Sequence, residues 1–500
     1  MTSLHCTRRH TCALAATGLL LIVSSVGAPA MAAGFADFSG LWINRYEYNG
    51  DSVSSIRSRI ENAASLGITD VMWQVRGRAD AYYDSEHEPW AQGLSESVDP
   101  LQVAIDAAHD NGIKLHAWMN TMPLWNSSQL PSDGDHPIYN DDPSFRVTDY
   151  YGDLEPSDGY SGSSYARVNH LLPEVHDHIN DVVRDLSENY DVDGVHLDYI
   201  RWMGPTSSSQ GYRPDWYYLP HDDYSHDLFF QATGLDGSSF SNATAYRDWN
   251  QSRITDLVAS VKQTVDAAEV STGRTIDLSA AVWNNPDTAE HDYLQDYRSW
   301  LEQELVDIAM PMLYLSSSNH DRLFDDYVSR ITSIETDSRI VVGLGSYLHD
   351  EDGGGPELTV EELQGLYDAG LDGAAFYGYG SFFGTGSLGV ARQEAVKDFY
   401  ESIAPVLVGD YNSDGVVDGA DFTVWRDSFT QVGEGLPADG NNDGCVCITD
   451  YHLWVQHYGE TLADLIAAPA EAAGVPEPAT WSLLALAGLV AARRGAARRG

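Results

Sequence analysis

Between Phe38 and Ile403 the chain alternates short runs of β-branched and aromatic residues with longer stretches whose apolar positions recur at helical spacing. The β-rich runs are Gly40–Tyr46, Thr69–Arg76, Ile113–Asn120, Gly194–Tyr199, Asp277–Trp283, Asp307–Tyr314, Ile340–Tyr347 and Gly373–Tyr379. Helical patterns lie between them, among them Val53–Leu66, Pro100–Asp110, Pro173–Tyr190, Tyr246–Ala268, His291–Leu305 and Val360–Ala369. Some carry their own punctuation: Asp99-Pro100 opens one helix, while Leu66-Gly67 and Asn111-Gly112 close others. Eight strands separated by helices predict an α/β chain folded as a (β/α)8 barrel. An open doubly wound sheet is the rival, but no glycine-rich phosphate loop follows the first strand. Two connections are long, Thr121 to Arg167 and Met203 to Ala245. Both follow strands, so they fall on the carboxyl-end face where barrel enzymes build their sites. Their Tyr and Trp content, as in Asp215-Trp216-Tyr217-Tyr218, favours a functional role over plain linkage.

Strand side chains alternate, so residues two apart share a face. Read to its end, the second strand supplies Gln74 and Arg76, the third His116, Trp118 and Asn120, and the fourth His196 and Asp198. Trp283, Tyr314 and Tyr347 end the fifth, sixth and seventh. Polar residues repeated on one buried parity are costly unless they line a site. Aromatic walls among Asp, Asn, His and Arg suit a sugar, whose C–H faces pack on rings while its hydroxyls take hydrogen bonds. Asp198 stands where strand meets loop, and glycoside cleavage needs a carboxylate at the oxocarbenium-like centre plus an acid for the leaving oxygen. Arg201, three residues on, is a candidate substrate contact; an Asp198 ion pair with Arg201 or Arg76 that only organises the mouth is the structural alternative. His196 also reads as a bonded interior histidine, and Trp118 and Trp283 also read as barrel core. For the partner acid, Asp80 just past the second strand leads, with Glu47 and Asp287 as competitors.

Leu41-Trp42-Ile43, Gln74-Val75-Arg76-Gly77-Arg78-Ala79-Asp80-Ala81-Tyr82-Tyr83, His116-Ala117-Trp118-Met119-Asn120, Gly194-Val195-His196-Leu197-Asp198-Tyr199-Ile200-Arg201 and Met310-Pro311-Met312-Leu313-Tyr314 resemble the bacterial glycosyl hydrolase-like 10 family. The resemblance implies a (β/α)8 glycosidase acting on bacterial polysaccharide, with peptidoglycan glycan strands as a plausible substrate and no cofactor in the barrel. It puts Asp198 at that family's fourth-strand aspartate and Asp80 at the acidic residue after its second strand. Asp193-Gly194 and Asp198 also match part of a chitinase pattern, but position 196 is His and the position for the chitinase acid is Ile200, which disfavours that chemistry.

Past Ala404-Pro405 the pattern changes. Asp410, Asn412, Asp414, Asp418 and Asp421 hold positions 1, 3, 5, 9 and 12 of an EF-hand-type loop, with Gly415 at the turn and Val416 offering its carbonyl at position 7. Asp439, Asn441, Asp443, Gly444 and Asp450 repeat the set 29 residues later, with Cys445 giving its carbonyl and Cys447 at position 9. Phe422/Tyr451 and Trp425/Trp454 repeat as well. The pair resembles a type I dockerin, an all-α EF-hand-like module that implies bound Ca²⁺ and a possible cohesin-like partner. So short a segment buries little core, so Ca²⁺ is expected to stabilise it.

Both ends read as addresses. Arg8-Arg9, the apolar run Ala13–Val26 and small residues up to Ala32 form a secretory signal pattern. Val475-Pro476-Glu477-Pro478, the apolar run Trp481–Ala492 and Arg493-Arg494 resemble a PEP-CTERM sorting tail, which implies transient membrane contact only. The expected organisation is a signal peptide (1–32), a barrel (35–404), a calcium module (406–460), a linker (461–475) and a sorting tail (476–500), in an exported or cell-surface protein. Removal of the signal leaves only Cys445 and Cys447, which excludes a disulfide framework.

Composition narrows the functions further. With 43% apolar residues the chain can bury a large core, and its formal charge of −47 with three lysines disfavours nucleic acid as a partner. Three readings remain: a glycosidase, a silent barrel that binds surface glycan, and a scaffold acting through its dockerin-like module.

Overall fold

The computed structural model describes residues 34–462, except 95–97, 128, 141, 143, 155–164, 203–214, 352, 385–386, 405–406 and 434. The signal pattern, the sorting tail and nearly all of the linker lie outside the described residues. Among the described residues no helix is long and apolar enough to cross a membrane.

Eight parallel strands close into a barrel: β1 Ser39–Ile43, β2 Asp70–Arg76, β3 Lys114–Asn120, β4 Gly194–Asp198, β5 Asp277–Trp283, β6 Ile308–Leu313, β7 Arg339–Leu344 and β8 Gly373–Tyr377. Each strand pairs with its neighbours in sequence, and β1 closes on β8 through Ser39 opposite Ala374 and Trp42 opposite Tyr377. Strands covered on both faces are apolar almost throughout, and β2 is buried at all seven positions. Outward residues such as Val71, Trp73 and Val75 join the large core shared with the helical shell. Inward residues Phe38, Trp42, Met72, Trp118, Ile308, Met310, Val341 and Ala375 fill the barrel itself. A side chain at Gly343 would collide with the Trp42 indole at 2.9 Å, so a bare backbone there makes room for the ring.

The helices start and stop where their caps dictate. Ser52 accepts from Ser55 N–H ahead of Val53–Ser65, and Asp99 accepts from the amides of Leu101 and Gln102 ahead of Pro100–Asp110. The helix expected over His291–Leu305 is instead two, Pro286–Tyr293 and Tyr297–Glu302. Leu294 between them is left-handed (φ 52°), and the next residue, Gln295, bonds Trp283 N–H and the carbonyls of Ile200 and Ala281. Of the two long connections, the first is pinned by an antiparallel ribbon of Pro123–Trp125 and Ala166–Arg167. The second contains the helix Asp223–Thr233.

β1 is shorter than expected. It ends at Ile43, and Asn44 caps a single turn, Arg45–Tyr48, in which Glu47 closes a capping box. At the C-terminus, helices Gly419–Ser428 and Ile448–His457 each follow one of the repeated loops. They lock reciprocally: Trp425 Nε1 donates to the carbonyl of Cys447 at 2.8 Å, and Trp454 Nε1 to that of Asp418 at 2.7 Å.

Candidate active site

A cavity of about 480 Å³ opens at the carboxyl end of the barrel. Its wall combines Asn44, Arg45 and Tyr46 after β1, Gln74 on β2, Trp118 and Asn120 on β3, and Asp198, Tyr199 and Arg201 at the end of β4. Trp283, Asn284, Met312, Tyr314, Tyr347, Tyr377 and Tyr165 complete it. Among the described residues, Asp198 is the one carboxylate on this wall.

Asp198 ends β4, and its Oδ1 accepts from Tyr199 N–H at 2.6 Å and from Arg201 Nη1 at 3.2 Å. Its side chain is 12% exposed, open to the cavity without facing bulk water broadly. Tyr199 holds a left-handed backbone (φ 53°), a conformation that bulky residues rarely adopt and that turns the chain sharply at the strand end. The Arg201 guanidinium lies 4.5 Å over the Tyr199 ring and 6.0 Å over Trp283. Three tyrosines gather on the wall, with centroids 5.5 Å (Tyr314–Tyr377), 6.0 Å (Tyr347–Tyr377) and 6.4 Å (Tyr314–Tyr347) apart. Burial, and then the charge of Asp198, push the Tyr199 hydroxyl up to about 12, and burial foremost raises Tyr314 and Tyr377 well above the phenol range. All three hydroxyls therefore stay protonated and can donate.

Seven of the predicted site residues meet at this cavity: Asp198, Trp118, Asn120, Arg201, Trp283, Tyr314 and Tyr347. Four do not, and each has a local cause. Arg76 loses the expected parity because the β2–β3 register shifts between Gln74 and Arg76, setting Arg76 level with Met119 rather than Asn120. It turns away from the cavity and is wholly buried against Glu88 at 2.7 Å, with further bonds to the carbonyls of Asn120 and Thr121. His116 and His196 keep the parity but sit too deep. His116 Nε2 is 3.0 Å from Asp70. His196 Nε2 accepts from the Trp42 indole at 3.1 Å, so its Nδ1 carries the proton and donates to Ser279 Oγ at 2.8 Å. Burial, reinforced by His116, lowers His196 to about 3, which keeps it neutral.

Asp80 is buried beside the cavity rather than on it. Its carboxylate accepts from Arg78 N–H at 2.8 Å and Arg78 Nη2 at 3.2 Å, and it faces a smaller cleft of about 220 Å³ with Trp90, Trp125 and His136. Asp287 is exposed on a surface helix, paired with Arg298 and Arg330 at 2.6 Å each. Glu47 lies next to the wall residues Asn44–Tyr46. Its oxygens accept from Asn44 N–H and Gly380 N–H, both at 2.9 Å, and burial raises its carboxyl above the ordinary value. Pattern reading did not single out Arg45, Tyr46, Tyr165, Tyr199 or Tyr377. Tyr377 carried a usable signal, since it ends the eighth strand on the inward parity.

In the C-terminal loops, Asp410 accepts from the amides of Asp414 and Gly415, and Asp439 from those of Asp443 and Gly444, so the two turns are wound alike. Asp421 and Asp450 are fully buried. Asp421 accepts three backbone N–H groups, whereas Asp450 Oδ1 is buried with no hydrogen-bond partner. An unsatisfied buried carboxylate oxygen at position 12 of a loop that also carries Asp439, Asn441 and Asp443 is the residue chemistry that would fit a calcium ion.

The model of the glycosyl hydrolase-like 10 family matches residues 38–348, more than half of the chain. The chain belongs to that family. It is 26% identical over 331 residues to the glycosyl hydrolase DigH of Escherichia coli (strain K12), covering 60% of this chain and 69% of DigH. It is 23% identical over 288 residues to the glycosyl hydrolase YngK of Bacillus subtilis (strain 168), covering 53% of this chain and 50% of YngK. The glycoside hydrolase domain of PgaB (BpsB) from Bordetella bronchiseptica superimposes with a TM-score of 0.53 at 15% identity, over 73% of this chain and 98% of that domain. The catalytic domain of a β-amylase from Paenibacillus polymyxa does so with a TM-score of 0.51 at 12% identity, over 74% and 99%. At such identities these two structures establish the shared barrel fold.

Proposed function

We propose that this family member is an exported glycoside hydrolase that cleaves O-glycosidic bonds in a polysaccharide, with peptidoglycan glycan strands as the favoured substrate. The observation that carries the reading is Asp198: a carboxylate at the end of β4, inside a ring-lined cavity and oriented by Arg201 and the Tyr199 amide. Trp118, Trp283 and Tyr347 present faces for sugar C–H surfaces, while Asn120, Gln74 and the protonated tyrosines bond hydroxyls. In the reaction Asp198 attacks or stabilises the developing oxocarbenium centre. Glu47 is the proposed second carboxyl in place of Asp80: it flanks the wall, its proton affinity is raised, and its charge reaches Tyr377. The twin C-terminal loops are proposed to hold Ca²⁺ and steady their own segment, with no part in the barrel chemistry.

The test is Asp198→Asn on the full chain. Cleavage of glycan strands should fall by about a thousandfold, the scale of losing one electrostatic stabiliser, with calcium uptake and folding unchanged. Unchanged turnover would remove Asp198 from the chemistry. A second reading, a barrel that binds glycan without cutting it, is favoured by the single carboxylate among the described wall residues. It requires that wild type and Asp198→Asn both retain glycan on a column and that neither releases new ends.

A further inference from the structure

We propose that the second C-terminal loop carries a site for a thiophilic divalent cation, held by the sulfurs of Cys445 and Cys447 and a carboxylate oxygen of Asp443. One ligand atom from each residue lies within 4.8 Å of the other two. Around a tetrahedral ion with metal–sulfur bonds of about 2.3 Å, two sulfurs sit roughly 3.8 Å apart, so the spacing needs only a small contraction.

The backbone prearranges the donors. Val446, between the two cysteines, is buried at 1% exposure in the small core with Tyr411 and Ala438. Its N–H donates to Gln431 O at 3.0 Å and its carbonyl accepts from Thr430 N–H at 2.9 Å, which holds the segment extended. In an extended segment alternate side chains leave on one side, so anchoring Val446 inward sends both sulfurs outward together. Cys445 Sγ is already hydrogen-bonded to Asp443 Oδ1 at 3.0 Å. Cys447 caps the helix Ile448–His457 by accepting from Thr449 N–H at 3.4 Å.

The first loop is the internal control. The same positions there are Asp414, Val416 and Asp418, an oxygen-only set suited to a hard cation. Thiolates select Zn²⁺ and Cd²⁺ instead, and binding releases the two thiol protons to solvent as the two metal–sulfur bonds form. Because Asp443 also belongs to the calcium set of its loop, the thiophilic ion and Ca²⁺ compete in the second loop and not in the first.

The experiment titrates Cd²⁺ into the reduced full-length chain carrying Cys6→Ser and Cys12→Ser, so that Cys445 and Cys447 are its only thiols, in the presence of Ca²⁺, following the ultraviolet thiolate-to-cadmium absorption band. One equivalent should saturate the band while displacing calcium from one of two loops. Cys445→Ser and Cys447→Asp should each abolish it. Cys447→Asp makes position 9 match that of the first loop, so this variant should keep both calcium ions and thereby report that the segment is folded. Absence of the band in reduced, calcium-loaded protein would overturn the proposal, as would a band that survives in either variant.

Discussion

The barrel and the C-terminal segment both bury carboxylates, and they neutralise them in opposite ways. In the barrel several buried acids meet a cation or imidazole of the same fold: Glu88 meets Arg76 at 2.7 Å and His178 at 2.8 Å, Asp70 meets His116, and Asp198 meets Arg201, while Asp185 is held by neutral donors from Ser85, Glu86 and Asn189. In the C-terminal loops Asp421 and Asp450 lean on backbone amides, and Asp450 Oδ1 is left without a partner. The first arrangement is complete when the chain folds. The second leaves a buried carboxylate oxygen unmatched, and under the proposed calcium reading a cation completes it, which would tie one region's stability to pH and the other's to metal.

The largest expected effect breaks the internal arrangement. Arg76→Met strands Glu88 in the core with only His178 beside it and should destabilise the barrel by about 3–5 kcal/mol in denaturant unfolding. A near-neutral result would mean that Glu88 does not depend on its guanidinium.

Calcium removal probes the other region with a comparable magnitude. At calcium a thousandfold above its dissociation constant, binding contributes about 4 kcal/mol, so a chelator should melt the C-terminal segment while barrel unfolding stays in place. Asp450→Asn should weaken the second loop more than Asp421→Asn weakens the first, because Asp450 carries the unpartnered oxygen. Loop-resolved calcium titration reads this directly.

Acid should separate the regions next. Burial alone would raise Glu88, but Arg76 and His178 bring it from its ordinary 4.5 down to about 2. Its contribution, about 3 kcal/mol, is present above pH 4.5 and is lost as pH falls toward 2. His196 and His170, lowered by burial from 6.5 to about 3, are neutral when folded and take up protons on unfolding, so they start the decline earlier, below pH 6.5. Barrel stability measured against pH should fall in these two stages. A flat profile between pH 6.5 and 4.5 would contradict the burial of the two imidazoles.

The smallest effect on stability concerns the second carboxyl, whose loss is read in the rate instead. Glu47→Gln should leave folding intact, since its oxygens only cap the amides of Asn44 and Gly380, and should remove the alkaline limb of the pH–rate profile. An unaltered profile would confine Glu47 to capping.

The eight strands were legible because doubly covered strands must be apolar runs bounded by polar helices. Alternation then pointed Asp198, Trp118 and Asn120 toward the cavity they line, as each lies near a strand end on the inward parity. The misses follow from features that alternation does not encode. A register shift turned Arg76 outward, and depth along the strand made His116 and His196 core rather than wall. Asp80 was captured by Arg78 two residues away, a contact set by the turn that follows β2. Tyr46 and Arg45 reach the cavity because the chain leaves β1 through a capped helical turn instead of extending to Tyr46.

The claim that Asp198 cuts glycan is tested most directly by product analysis. Peptidoglycan strands and a panel of other polysaccharides are incubated with wild type and with Asp198→Asn, and released ends are identified by mass spectrometry. The expected result is new reducing ends from at least one glycan with wild type and none with Asp198→Asn. Equal release by both proteins, or release by neither from any substrate, would contradict it.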